Sequence, residues 1–509
     1  MTGAFDLAIA GSGFGGSLLA MVARRLGLSV LLLERGAHPR FAIGESTSPL
    51  TNLLLEELAQ RYDLPRLLPL ASYGTWKRTY PDLVVGLKRG FTFYGHRAGE
   101  PYRDDPERSA QLLVAASPEN EVADTHWYRA AFDEFLLREA QSLAVEYVDR
   151  VSISDLARCG NVTSLAGERN GRSVRYRARF VVDATGPRGL LSRLLELPEI
   201  PWDCLPPTRG LYTHFANVGR MAELAESEGA PYPPDDAALH HLFDGGWIWV
   251  LRFENGITSS GVAAEDWFAD ELRLEEGEPA WQRLLERFPT VRRQFAAAAP
   301  VLPFITHRRL PYRCAEVVGD GWALLPSATA FIDPLFSTGF PLTLLGIHRL
   351  GRALAEAWDT PAWEERLRQH AQSTRDEAEA SAWLVGGCYA AFRDFPTFAA
   401  LSMLYFTAAS YAEMARRLDR PHLASQFLLR NQPSFRRALE GHTAATRTGR
   451  PPAPPAVYTD VEPFNIAGLC DPAKRNWYPV DLEDVVRGAA KLERSPEEVR
   501  QFFERMGWR

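Results

Sequence analysis

The chain has 509 residues, enough for two or three domains around a large core, and its 46% hydrophobic and 24% charged content is that of a globular protein. A net charge of −7, from 57 basic and 64 acidic residues, argues against nucleic acid as the main partner, because phosphate binding demands a basic face. Five scattered cysteines without a C-x-x-C pair point to reduced thiols in a cytoplasmic protein, and four glycines interrupt residues 7–23, so neither a signal peptide nor a membrane span is expected.

In chain order, Phe5 to Ala10 reads as a buried strand, followed at once by Gly11-Ser12-Gly13-Phe14-Gly15-Gly16. A helix with Leu18, Leu19, Val22 and Leu26 on one face comes next, then a strand from Ser29 to Leu33 ending in Glu34. This is the full βαβ setting of G-x-G-x-x-G. Gly11, Gly13 and Gly16 permit a tight turn and close pyrophosphate approach, the helix N-terminus takes the charge, and Glu34 accepts from a ribose hydroxyl. In Gly44-Glu45-Ser46-Thr47-Ser48-Pro49, Ser48 and Pro49 read as N-cap and first residue of a helix carrying Leu53, Leu54 and Leu58.

Lys88 lies in Gly86–Phe93, an apolar strand-like run unusual for a lysine; buried there, its pKa falls and it becomes a useful acid or nucleophile, whereas at a strand edge beside Arg89 it would face water. Lys77 is a weaker rival. Arg129 precedes Phe132, Asp133, Leu136 and Leu137 on a predicted helix, and Phe180 to Asp183 is an apolar strand ending in Ala184-Thr185-Gly186. His240 and His241 point to opposite faces of a strand, so no metal site is assigned, while Trp247 and Trp249 share one face. A strand at Trp322–Leu325 leads into Phe331-Ile332-Asp333-Pro334-Leu335-Phe336-Ser337-Thr338-Gly339, then a helix marked by Ile347, Leu350, Leu354 and Trp358. Pro341 sits in its first turn, which places Thr338 and Gly339 at an anion-favouring N-terminus. After Pro361 the chain turns helical and aromatic, and Ser495-Pro496-Glu497-Glu498 opens a last helix as a capping box.

The run Phe331, Pro334, Ser337, Gly339 resembles the F-x-x-P-x-x-S-x-G signature of flavin-dependent halogenases. The G-E-S-T-x-P segment and the spacing of Lys88 after it are similar to that family, as is Trp247-Ile248-Trp249 within W-x-W-x-I-P, although Leu251 and Arg252 depart from the motif. The A-T-G strand and Arg129 resemble flavin-contacting elements of the glutathione-reductase-like flavoproteins. The resemblance implies an α/β (α+β) chain: a Rossmann-like FAD-binding domain from residues 1–80, 110–195 and 305–360, an antiparallel substrate platform from 81–109 and 196–304, and a helical lobe from 361–509.

It further implies FAD, used as FADH₂ with O₂ and chloride or bromide, which yields hypohalous acid through a flavin hydroperoxide; Lys88 would direct that oxidant. Pro334, Ser337, Thr338 and Gly339 would hold halide and flavin, with Glu45, Ser46, Arg129 and Asp333 as further cofactor contacts. Phe91, Trp247, Trp249, Arg252 and Phe336 would line the substrate tunnel. Tryptophan halogenases carry glutamate where this chain has Phe336, so the phenol-halogenating branch, of the phloroglucinol type, is the nearer likeness. A substrate base is not assigned; Glu45, His96 and His126 are guesses. The implied partners are a separate NAD(P)H flavin reductase and a small aromatic substrate of secondary metabolism, free or tethered to a carrier protein, with no nucleic acid and no membrane. Two alternatives stand beside this reading: a flavin monooxygenase that hydroxylates directly, and a silent flavin-fold binding protein.

Overall fold

The computed structural model describes residues 3–508. The chain runs through β1 (Phe5–Ala10), α1 (Phe14–Arg25), β2 (Val30–Leu33), α2 (Pro49–Arg61), β3 (Val85–Lys88), β4 (Gly90–Gly95), β5 (Gln111–Ala115), β6 (Asp124–Trp127) and α3 (Arg129–Ser142). It continues through β7 (Glu146–Val148), β8 (Val151–Cys159), β9 (Val162–Arg169), β10 (Arg172–Asp183), β11 (Thr208–Ala216), β12 (Ala238–Phe243), β13 (Gly246–Arg252), β14 (Ile257–Glu265) and β15 (Trp322–Leu324). Long helices α4 (Gly339–Ala357), α5 (Trp363–Ala390) and α6 (Phe395–Arg417) come before a late short strand, β16 (Trp477–Tyr478).

β1 and β2 are near-continuous apolar runs because both faces of their sheet are covered. The strands pair in parallel in the order β7-β2-β1-β10-β15. α1 packs against α3 and α4 on one side of this sheet. The first half of β10 leaves the parallel core and forms an antiparallel ribbon with β9 and β8.

The second sheet runs β11-β14-β13-β12-β4-β5-β16 and is antiparallel except where β12 meets β4 and β5 meets β16. Strand alternation sorts its side chains into two layers. Phe91, Phe93, Trp247 and Trp249 join the large core shared with the long helices. Tyr94, Leu239, Ile248 and Val250 pack in a separate layer with Trp281 and Phe288.

Three features differ from the expected organisation. Gly86–Phe93 is not one strand: it breaks at Arg89, whose side chain donates to the Ser117 and Pro118 carbonyls, so β3 pairs with β6 in a two-stranded ribbon while β4 enters the second sheet. β5 lies in the platform sheet, although its residues were expected in the FAD-binding domain. The expected helical lobe returns a strand, β16, to that same sheet. The two predicted N-terminal caps are formed: Ser48 and Ser495 each make a reciprocal capping box. Among the described residues no helix is long and apolar enough to cross a membrane, and the five cysteines are free thiols.

Candidate active site

The turn after β1 is as tight as its glycines allow. Gly11 has φ +95°, and a Cβ on Gly16 would stand 1.8 Å from the Gly11 carbonyl oxygen. Gly13 faces the side chains of Arg40, Arg129 and Asp133 instead. A Cβ there would stop 3.5 Å from Arg40 Nη2, 3.5 Å from Asp133 Oδ2 and 3.6 Å from Arg129 Nη2, and no side chain caps the N-terminus of α1. Uncapped N–H groups beside the Arg40 guanidinium, with Arg129 neutralised by its partner Asp133, leave a helix N-terminus open to a pyrophosphate. A cleft of about 480 Å³ opens beside it, bordered by Gly11, Glu34, Arg40, Ala184 and Thr185. Glu34 Oε2 accepts from the Ser12 backbone N–H at 3.1 Å, and Oε1 from Gly36 N–H at 2.9 Å. Burial pushes the Glu34 pKa up, but Arg40 and these N–H donors outweigh it and hold the carboxyl below its ordinary range.

Residues 43–48 tie this crevice to Lys88. Arg129 donates to the Ile43 and Gly44 carbonyls at 3.1 and 2.8 Å, and pairs with Asp133. The Trp127 N–H donates to the Glu45 carbonyl, Glu45 Oε1 meets His214 Nε2 at 2.8 Å, and Thr47 exchanges hydrogen bonds with Thr125. Lys88 is fully buried; its ammonium donates to Ser46 Oγ at 2.9 Å and to the Thr47 carbonyl, and lies 3.8 Å from the centre of the Phe91 ring. The solvent-facing alternative for Lys88 is therefore excluded. The Glu45 and Ser46 side chains meet His214 and Lys88. Lys77 is ion-paired with Glu254 near the surface.

Phe14 at the start of α1, Trp127 just before α3 and Phe340 at the start of α4 touch one another, with Phe14–Phe340 centroids 4.9 Å and Trp127–Phe340 centroids 4.4 Å apart. Three helix N-termini thus converge, and their dipoles favour an anion. α4 begins after a strained loop: Phe336 and Ser337 both have positive φ, at 65° and 56°. Thr338 makes no side-chain cap bond, and a Cβ on Gly339 would meet nothing within 4 Å.

Phe336 turns inward, fully buried, and stacks on Tyr405 at 4.8 Å; Phe91, Phe93, Phe398 and Phe406 complete an aromatic wall. Trp247 and Trp249 stand 5.7 Å apart on the same layer. Trp247 Nε1 donates to Tyr389 Oη at 3.1 Å, and Tyr389 donates to Asp333 Oδ2 at 2.8 Å. Asp333 Oδ1 accepts from the Leu335 N–H. Asp333 thus braces the loop against α5 and β13.

Burial pushes the Asp333 pKa up to about 7, against the pull of its hydrogen bonds. The folded chain then binds this proton more tightly than the unfolded chain. The group's contribution to stability is complete below the ordinary carboxylate value and is lost as pH rises towards 7. Asp333→Asn should flatten the dependence of melting temperature on pH between about 4 and 7; an unchanged slope in calorimetric scans would place the proton elsewhere.

Arg252 corrects an expectation. It alternates with Trp249 and so faces the other layer, where it donates to the Val218 and Gly219 carbonyls and pairs with buried Asp235 at 3.3 Å. It is a structural tether and does not reach the tryptophan face. His96 is likewise remote, bonded to His241 in that outer layer. His126 is buried on the Lys88 ribbon, with Nε2 3.4 Å from the Ala237 carbonyl and Nδ1 unpartnered. Sequence reasoning gave no role to Asp124, Tyr389 or Tyr405: Asp124 is brought beside Lys88 by strand pairing, and both tyrosines lie in the stretch after Pro361 noted as aromatic, while His240, noted as one of a histidine pair, stacks on Phe93 at 4.5 Å.

A dinucleotide-type crevice at the mouth of a parallel sheet, joined through helix N-termini to an antiparallel platform, is the architecture of a two-sheet flavoprotein. The sequence profile described as tryptophan halogenase matches residues 117–396. Monodechloroaminopyrrolnitrin halogenase PrnC of Pseudomonas fluorescens is 30% identical over 79% of this chain and 70% of its own, and tetracycline 7-halogenase of Kitasatospora aureofaciens is 30% identical over 80% and 73%. The crystal structure of halogenase PltM with phloroglucinol and FAD superimposes with a TM-score of 0.83 at 25% identity, covering 92% of this chain and 99% of that one. The chain belongs to the flavin-dependent halogenase family and is an FAD-dependent oxidoreductase that halogenates aromatic substrates.

Proposed function

We propose that the chain chlorinates or brominates a small, electron-rich aromatic, of phenolic or related donor-bearing type, with Lys88 directing the oxidant. Bound in its reduced form, FAD supplies with O₂ the oxidation of halide to hypohalous acid. The observation that carries this reading is the burial of the Lys88 ammonium against Phe91, on the same segment that Arg129 ties to the crevice. Of the three ammonium donors, two are engaged by Ser46 and Thr47, which leaves one for hypohalous oxygen. Burial draws the Lys88 pKa down while Asp124 opposes this, so the group is poised to donate a proton. Phe91, Phe93, Phe336 and Tyr405 exclude water that would otherwise carry the oxidant away. Gly11, Gly13, Gly16, Glu34 and Arg129 hold FAD, and Pro334, Ser337, Thr338 and Gly339 present the α4 N-terminus to halide.

Phe336 in place of glutamate turns the reading from tryptophan to phenols, in line with the phloroglucinol bound by PltM. The single G-x-G-x-x-G βαβ unit serves FAD, so electrons come from a separate NAD(P)H flavin reductase. The free thiols suit the cytoplasm. Two relatives act on carrier-bound pyrroles; here the closed aromatic surroundings of Lys88 favour a free ring.

The test is incubation of the purified protein with FAD, NADH, a flavin reductase, bromide and a panel of phenols, anilines and pyrroles, with products read by mass spectrometry. Brominated product is expected. Oxygenated product alone, or NADH oxidation stimulated by a phenol without added reductase, would replace this reading with direct hydroxylation.

A further inference from the structure

Phe336 and Ser337 are non-glycine residues held at positive φ just before α4, and such a pair persists only where its surroundings leave it no alternative. Two anchors do this. One is apolar: the buried Phe336 ring packs on Tyr405 at 4.8 Å, with Phe93 and Phe398 at 6.0 and 6.4 Å. The other is polar. Asp333 Oδ1 accepts from the Leu335 N–H at 2.9 Å, and the Ser337 N–H returns to the Pro334 carbonyl at 3.0 Å, so the turn is closed upon itself. It is fastened to the rest of the protein through Asp333 Oδ2, which accepts from Tyr389 Oη in the last turn of α5 at 2.8 Å. Trp247 Nε1 donates to the same hydroxyl at 3.1 Å, which directs the tyrosine's own proton to Asp333. All three side chains are buried, so bulk water does not replace a lost bond. One hydroxyl thus joins the tryptophan layer of the platform, the helical lobe and the loop in front of α4. The seat of that loop sets the direction of α4, whose ladder begins with the Leu342 N–H on the Thr338 carbonyl and leaves the N–H groups of Gly339 and Phe340 outside it.

We propose that the Tyr389 hydroxyl is a positioning group for halide: by holding Asp333 it keeps the Phe336–Ser337 turn in its strained form and the N-terminus of α4 aimed at the anion. This rests on the placement of halide at that N-terminus given above, and it makes halide affinity depend on a residue 56 positions from Asp333. Tyr389 acts through Asp333 and not by contact with the ion. Tyr389→Phe removes one oxygen and leaves the ring packed on Phe392 at 4.6 Å. Trp247 Nε1 and Asp333 Oδ2 then lose their common partner. The turn keeps its apolar anchor and loses its polar one, so the chain should fold while the strained pair relaxes.

The experiment titrates the FAD-loaded protein, unreduced and without an aromatic, with sodium chloride at constant ionic strength. Bound chloride is read from the chloride-35 line width and from the flavin absorbance, with bromide as competitor; FAD affinity is read by fluorescence. Tyr389→Phe should weaken chloride about tenfold or more and leave FAD affinity within about twofold of wild type. Tyr411→Phe is the comparison for mere loss of a buried hydroxyl. Tyr411 Oη of α6 donates to the Lys491 carbonyl at 2.7 Å, so this variant should melt lower yet bind chloride as wild type does. Unchanged chloride affinity in Tyr389→Phe overturns the proposal, as does a loss that Tyr411→Phe shares or that FAD affinity follows. If Tyr389→Phe does not fold, Trp247→Phe is read instead: it takes away the donor that directs the hydroxyl and should also weaken chloride, and no change overturns the proposal. A wild type that binds no halide overturns the halide placement and the proposal with it. Chloride binding that weakens in Tyr389→Phe, in a protein that yields only oxygenated product, keeps the proposal and loses the halogenation reading, so the two fail separately.

Discussion

Lys88→Ala should abolish halogenation while FAD remains bound. General acid–base groups contribute about 100- to 10,000-fold to rate, and loss of product in the reductase-coupled assay is expected within or beyond that range. The variant also leaves the Ser46 hydroxyl and the Thr47 carbonyl without their donor. A stability cost of about 1–3 kcal/mol is expected for such orphaned groups. Lys88→Met separates the two effects: it fills the buried volume against Phe91 without an ammonium, so it should melt closer to wild type and remain as inactive as the alanine variant. Product formed at the wild-type rate by either variant would remove Lys88 from the chemistry.

Gly16→Ala should cost the protein its cofactor. The added Cβ would lie 1.8 Å from the Gly11 carbonyl oxygen and 3.3 Å from Ala184 Cβ, so α1 must move off β1 and take its N-terminal N–H groups with it. Flavin fluorescence titration should show FAD affinity falling about 100-fold or more, about 3 kcal/mol. Gly441→Ala is the control: its Cβ would meet nothing within 4 Å, it lies in the helix Pro433–Arg447, and the change should leave FAD affinity untouched. Equal FAD binding by Gly16→Ala and wild type would mean the turn relaxes without cost.

Local signals carried the first half of the dinucleotide domain. The β1–α1–β2 unit is specified within residues 5–34, where glycine spacing, helical periodicity and a terminal acid all agree. The Ser48 and Ser495 caps were equally local. What stayed hidden depends on pairing across sequence distance. Asp124 is an ordinary acid in Asp124-Thr125-His126-Trp127 until β6 lies against β3. Period-2 alternation placed Trp247 and Trp249 together, but alternation does not say which face meets substrate; it puts Arg252 opposite, on Asp235, a residue 17 positions away. Arg89 ended one strand and let the next begin in another sheet, a break invisible in an apolar run. β16, of two residues, is too short to leave a periodic trace.

That short strand has a consequence for the solution behaviour of the molecule. β5 is an apolar strand, Gln111-Leu112-Leu113-Val114-Ala115, and on the side away from β4 its ladder is met by Trp477 and Tyr478. Without them, that edge would offer unpaired N–H and carbonyl groups to any second copy of the chain. The same stretch, through Tyr478 and Leu482, also walls a cavity beside Asp124. Clipping the chain upstream of Trp477 would therefore release a self-associating protein, and oligomers or precipitate would be the first sign that the stretch had been lost.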